Sequence, residues 1–236
     1  MSSFVLVHGA WHGGWCWRRV AERLRAKGHE VHTPSLSGLA EHAHRASPDI
    51  GHDVHVDDVT RVIEWNDLSD VVLVGHSYGG LVVTGAAAGR ARDRLKHLVV
   101  LDGSTPRPGE SMLDLALPAI RESFVARVNG GFMALPTMAA MGVTDPADVA
   151  WVESKLTPHP VKTFQEPIHF DAARLKGLKK TFIRCTGEKG ERGMSPSAER
   201  CKAAPEEWSY KELATGHDAM VTLPDRLAEM FMEAAR

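Results

Sequence analysis

The chain has 236 residues, of which 43% are hydrophobic and 25% charged, and a formal net charge of −2. That length suits one sizeable domain, and the near-neutral charge argues against a nucleic-acid or anionic-membrane partner. No apolar run approaches the roughly 20 residues of a membrane span.

Strand and helix patterns alternate from the start. Phe4-Val5-Leu6-Val7-His8 reads as a buried strand; Trp17, Val20, Ala21 and Leu24 then recur at helical spacing, and Gly28 stops the helix. Glu30 to Pro34 reads as a second strand. A polar loop follows, and Val56, Val59 and Ile63 mark the next helix. Val71 to Val74 is an apolar β-branched strand, Gly80 to Ala88 a buried helix, and Leu95 to Leu101 a fourth strand. The alternation breaks at Ser104-Thr105-Pro106-Arg107-Pro108-Gly109, and a loosely helical, Met- and Phe-rich stretch runs to Lys176. Strands near Lys180–Cys185 and Trp208–Leu213 restore the pattern, and a last helix opens at Pro224. Repeated β-α-β units imply an α/β fold: a mostly parallel sheet of about six strands, flanked by helices. Residues 1–105 and 177–236 are expected to form the core, and 106–176 an inserted helical cap with an apolar lining.

Gly75-His76-Ser77-Tyr78-Gly79 lies between the third strand and its helix. A G-x-S-x-G turn in that context is sharp and strained, raises the serine hydroxyl above the sheet edge, and marks Ser77 as a nucleophile. A serine hydroxyl needs a base, and the base an orienting acid. His217 is the histidine in the loop between the final strand and the last helix, which opens where Ser77 sits. His97 lies within a strand pattern and reads as structural. Two places are open for the acid. Glu188, with Glu191 beyond it, follows the Lys180–Cys185 strand; Asp102 ends the fourth strand at the same edge. Glu188 is the expected acid and Asp102 the alternative. Backbone N–H groups of Tyr78 and of Ala10, in the small-residue loop after the first strand, are the expected oxyanion donors. Substrate contacts are expected at Gly9, Trp11, Cys16, His76 and Asp218.

His42, His44, His52 and His55 lie among Asp49, Asp53, Asp57 and Asp58. No closed ligand set is visible, so this run reads as a solvated loop and helix start, and no metal or other cofactor is expected. Three cysteines, Cys16, Cys185 and Cys201, lack the spacing of a disulfide framework, and Met1-Ser2-Ser3 leads straight into a strand without the features of a signal peptide. Both suit the cytoplasm.

Val7 to Trp17, Gly75 to Gly80, Cys185-Thr186-Gly187-Glu188-Lys189-Gly190 and Gly216-His217-Asp218-Ala219-Met220 resemble the α/β-hydrolase superfamily, more narrowly its hydroxynitrile lyase and plant methylesterase-like branch. The resemblance spans nearly the whole chain. It implies Ser77 as nucleophile, His217 as base, and an acid at Glu188, where the family usually has Asp. Lyases of the branch have a threonine where this chain has Gly9 and a lysine where it has Asp218. Esterases often have Met at the latter position. The resemblance therefore implies a carboxylic-ester hydrolase acting on a small hydrophobic or aromatic ester, of methyl ester or aryl carbamate type. The rivals are a lyase on the same residues and a non-enzymatic ligand receptor. The partners expected are the small-molecule ester and, at most, a second copy of the chain in a homodimer.

Overall fold

The structure, a computed structural model, describes residues 1–187 and 195–236. Four strands and three helices alternate first: β1 (Ser3–Val7), α1 (Arg18–Ala26), β2 (Glu30–His32), α2 (His52–Trp65), β3 (Val71–His76), α3 (Gly79–Ala88) and β4 (Leu95–Leu101). An insertion follows, with α4 (Pro118–Ala126), β5 (Val128–Asn129), β6 (Phe132–Met133), α5 (Met138–Met141), α6 (Pro146–Glu153), β7 (His159–Pro160) and α7 (Lys162–Gln165). The main alternation then resumes through β8 (Lys179–Cys185), α8 (Ser195–Lys202), β9 (Ser209–Leu213), α9 (Ala219–Thr222) and α10 (Pro224–Ala234).

The six long strands form one sheet in the order β2-β1-β3-β4-β8-β9, with every pairing parallel. Alternate residues of the central strands enter opposite cores, which explains the continuous apolar runs of β1, β3 and β4. Val5, Val7, Leu73, Leu98, Val100 and Phe182 pack with Val59 and Ile63 of α2 and Leu81, Val82 and Ala86 of α3. Phe4, Leu6, Val72, Val74, Val99 and Ile183 pack on the other face with Val20 and Leu24 of α1 and Leu227 and Phe231 of α10.

The insertion departs from the helical expectation. β5, β6 and β7 form a small antiparallel sheet. Gly130 and Gly131, at φ of +56° and +81°, make the two-residue turn between β5 and β6. Two consecutive left-handed residues are what a tight hairpin of this hand needs, and glycine supplies them without strain. Phe124, Met133 and Phe164 are buried and join the core that contains α3.

In a parallel sheet all strands end at the same edge, and ligands bind in the crevice beyond it. Here that edge carries the loops after β1, β3, β4 and β9, which contain Ala10, Ser77, Asp102 and His217.

Candidate active site

Ser77 sits between β3 and α3 at a φ of +54°, a left-handed conformation that costs a non-glycine residue about 1–3 kcal/mol. The surroundings enforce it. The Ser77 N–H donates to the Leu101 carbonyl at 3.1 Å, and the Ser77 carbonyl accepts from the N–H groups of Gly80 and Ser104, both at 3.0 Å. The flanking glycines answer to close packing: a Cβ on Gly75 would lie 2.4 Å from the Gly79 carbonyl oxygen, and one on Gly79 would lie 2.6 Å from that of His8.

His217 lies in the loop after β9. Its Nδ1–H donates to Asp102 Oδ2 at 2.6 Å, and its carbonyl accepts from Nε2 of His76, the neighbour of Ser77, at 3.0 Å. Burial alone would lower the His217 pKa, but the hydrogen bond and charge of Asp102, with Asp218 adding, outweigh it and raise the pKa above 6.5. His217 Nε2 makes no hydrogen bond among the described residues, and the side chain stays 13% exposed. Asp102 is itself fixed: its N–H donates to the Ile183 carbonyl at 2.7 Å, and its Oδ1 accepts from the Cys185 N–H at 3.2 Å. Of the two carboxylates open in the sequence, Asp102 is the one on His217 Nδ1. Glu188 and Glu191 lie outside the described residues.

The loop after β1 packs directly on Ser77, since a Cβ on Gly9 would lie 2.8 Å from Ser77 Cβ. Among the described residues, no group accepts the N–H of Ala10 or of Tyr78. His8 orients the first of these. Its Nε2 accepts from the Leu36 N–H at 3.0 Å, which leaves the proton on Nδ1 to donate to the Gly9 carbonyl at 2.8 Å. Burial pushes its pKa down to about 3, so the ring is neutral. In a trans peptide the carbonyl and the next N–H point in opposite directions, so holding the Gly9 carbonyl aims the Ala10 N–H away from His8.

The chain matches the alpha/beta hydrolase family over residues 4–230. It belongs to that family. It is 35% identical over 243 residues to a carbendazim hydrolyzing esterase of a Nocardioides species, covering 97% of this chain and 98% of that protein. Methylesterase 1 of Arabidopsis thaliana is 42% identical over 81 residues, a stretch of 33% of this chain and 30% of the plant protein. Among solved structures, an extracellular alpha/beta-hydrolase from a Paenibacillus species, described as sharing structural and functional homology with tobacco salicylic acid binding protein 2, superposes with a TM-score of 0.86. The two share 24% identity over 100% of both chains. A methylesterase protein from Arabidopsis superposes with a TM-score of 0.75 at 23% identity, covering 99% of this chain and 98% of that one. Those two likenesses establish the fold alone.

In this hydrolase three of the residues expected at the substrate point elsewhere. Cys16 is fully buried in the core beneath α1, where burial pushes its thiol pKa well up. His76 is sealed between Trp17, His12 and His217, and its Nε2 holds the His217 loop. Asp218 is also fully buried, and its Oδ2 accepts from His12 Nε2 at 3.1 Å. All three lie close to site residues in sequence, but each side chain is buried in the protein. Trp11 is half-buried at a φ of +64°, with its ring 6.2 Å from that of Phe164.

The imidazole-rich run is also not a solvated one throughout. His52 and His55 occupy the inward face of α2 with Val59 and Ile63. His55 Nε2 donates to the Ser37 carbonyl at 2.9 Å, and its Nδ1 accepts from the Tyr78 hydroxyl at 2.8 Å. Their i, i+3 spacing ahead of Val59 was the available signal of an inward face. Among the described residues no group of three or more His, Cys, Asp or Glu is placed to hold a metal ion.

Proposed function

We propose that this hydrolase cleaves small carboxylic esters through an acyl-enzyme on Ser77. The observation that carries the reading is the 2.6 Å bond from His217 Nδ1 to Asp102, on a loop that shares the sheet edge with the strained Ser77 turn. Ser77 Oγ attacks the ester carbonyl while His217 Nε2 takes its proton. The N–H groups of Ala10 and Tyr78 meet the oxyanion. Collapse of the tetrahedral intermediate expels the alkoxide, which receives the proton from His217. Water, deprotonated by the same imidazole, then releases the acid. Asp102 keeps the Nδ1–H tautomer and stabilises the imidazolium that forms. Every group in this scheme comes from one chain, so a homodimer would add nothing to the chemistry.

Residues 106–176 are assigned to the cap and the remainder to the catalytic core. Half-buried Trp11, in the loop after β1 and against Phe164 of the cap, favours a compact hydrophobic or aromatic ester. The carbendazim hydrolyzing and methylesterase relatives support methyl esters and aryl carbamates as the classes to try. The lyase reading is disfavoured. A threonine in place of Gly9 would meet Ser77 Cβ at 2.8 Å, and Asp218 faces His12 instead of a leaving cyanide. No helix among the described residues is long and apolar enough to cross a membrane. Three free, buried thiols support a reducing cytoplasm.

The test is a panel of p-nitrophenyl, methyl and aryl carbamate esters combined with a serine-directed phosphonate. Turnover of at least one ester, with a single adduct on the Ser77 peptide, is expected. Tight ligand binding without turnover would favour the receptor reading, and labelling at another residue would remove Ser77 as nucleophile.

A further inference from the structure

The Ala10–Trp11 peptide is gripped from both sides by histidines that the chemistry above does not use. Its carbonyl accepts from His12 Nδ1 at 2.8 Å, and its N–H donates to His159 Nδ1 at 3.3 Å. The protons are settled by the outer partners. Thr163 Oγ1 donates to the Pro160 carbonyl at 2.7 Å, so it accepts from His159 Nε2 at 2.9 Å. His159 therefore carries its proton on Nε2 and offers Nδ1 as an acceptor. His12 faces a carbonyl with one nitrogen and the Asp218 carboxylate with the other. It can donate to both only as an imidazolium.

The residue between these grips needs holding. Trp11 is left-handed at a φ of +64°, and such a conformation persists in a non-glycine residue only where its surroundings over-determine it. The insertion supplies a further hold, since the Thr157 N–H donates to the Trp11 carbonyl at 3.0 Å. His159 itself is fully buried on β7, packed 4.8 Å from the Tyr78 ring and 4.9 Å from that of Phe164. A segment 148 residues downstream thus grasps the peptide next to one oxyanion donor and touches the side chain of the other.

We propose that His159 is a positioning residue: working against His12 and Asp218, it locks the Ala10–Trp11 peptide and so preorganises the Ala10 N–H, making oxyanion stabilisation depend on the docked insertion. The proposal rests on the esterase reading of Ser77, Ala10 and Tyr78. Its signature is selective. Ground-state binding is unchanged, whereas turnover and affinity for a tetrahedral mimic fall together.

The experiment compares His159→Leu, which fills the space but accepts no hydrogen bond, with His159→Asn, whose carboxamide oxygen can replace Nδ1. Each is assayed for kcat and KM on p-nitrophenyl acetate. Inhibition is measured with an aryl trifluoromethyl ketone, which adds to the serine as a tetrahedral oxyanion, and with p-nitrophenol as ground-state ligand. Removing an oxyanion donor outright costs about a hundredfold to a thousandfold, and misaiming one is expected to cost about tenfold. His159→Leu should lose that factor in kcat and in affinity for the ketone, with KM and p-nitrophenol binding within about twofold, and His159→Asn should recover most of it. Thr163→Val frees the His159 ring and should show the same pattern more weakly, and it carries the test if His159→Leu does not fold. A folded His159→Leu or Thr163→Val with unaltered ketone affinity overturns the proposal, and so does an equal loss with both ligands. A parent enzyme that binds no tetrahedral mimic overturns the esterase reading, and this proposal with it.

Discussion

Two imidazole–carboxylate pairs lie side by side beneath the sheet edge, and they have different fates. His217 and Asp102 are 2.6 Å apart, and His12 and Asp218 are 3.1 Å apart. Both histidines have raised pKa values despite burial, because a carboxylate faces each. What separates them is the second nitrogen. His12 spends both nitrogens inside the protein, on Ala10 and Asp218, with its side chain 1% exposed. His217 keeps Nε2 unspent among the described residues, in a ring that still reaches the surface. A carboxylate partner thus raises the pKa of either ring, whereas a free nitrogen at the crevice is what the proposed proton transfer needs, and His217 alone of the two has it. The sealed pair serves structure.

The comparison breaks most decisively at the nucleophile. Ser77→Ala should reduce ester turnover by about four to six orders of magnitude, because serine, base and acid act as a unit; steady-state kinetics on the best ester of the panel measures it. Asp102→Asn comes next. It should cost about three to four orders of magnitude in kcat, since an amide no longer enforces the Nδ1–H tautomer. Glu188→Gln should stay within about threefold if Asp102 is the working acid. A reversed order would move the acid role to Glu188.

The sealed pair should respond in stability. Asp218→Leu strands a buried imidazolium, and breaking such a pair typically costs about 3–5 kcal/mol. Urea unfolding across pH gives the sign. The His12 pKa is raised in the fold, so its contribution is complete below the unfolded value near 6.5 and fades as pH rises through the folded value. The Asp218 pKa is lowered, so its contribution is complete above the unfolded value near 3.9 and fades as pH falls through the folded one. The gap between parent and variant should therefore be widest between about pH 4 and 6.5 and narrow on both sides. A gap independent of pH would mean that the pair is not ionised.

The two pairs also mark how far a sequence can be read. The central strands β1, β3 and β4 are visible as apolar runs because a parallel sheet buried on both faces leaves few polar positions to interrupt it, whereas the edge strands β2 (Glu30–His32) and β9 (Ser209–Leu213) are largely polar and show only through the alternation around them. Ser77 was visible because its turn requires glycine two residues away on either side. The acid stayed ambiguous because β4 and β8 are neighbours that end at one edge, and nothing local to Asp102 or Glu188 says which side chain reaches an imidazole from β9. His12 and Asp218 are 206 residues apart, so no spacing rule could join them. The β5–β6 hairpin was missed although Asn129-Gly130-Gly131 is a turn signal, because strands of two residues are too short to show alternation.

The pH dependence of activity separates the pairs from a different side. A general base works when unprotonated, so kcat/KM should fall as pH drops through the pKa of His217 in the free enzyme. That limb should lie above 6.5, because Asp102 raises it. In Asp102→Asn the charge is gone and burial dominates, so the residual activity should show its limb moved to lower pH. An unmoved limb would assign the titration to another group.

The smallest expected effect concerns the core beneath α1. Cys16 follows the loop after β1 closely in sequence, and a residue there would ordinarily be suspected of touching substrate. Its side chain instead packs among Phe4, Leu6, Trp17 and Val20, on the far side of the sheet from α3. Burial holds the thiol protonated, which removes the thiolate that alkylating reagents need. Cys16→Ala should therefore lower stability by about 1 kcal/mol, the transfer and cavity cost of one small buried group, while leaving kcat and KM within about twofold. Iodoacetamide should spare Cys16 in the native enzyme and modify it once urea unfolds the chain. Rapid native labelling, or a shift in KM, would return Cys16 to the substrate crevice and make that core part of the site.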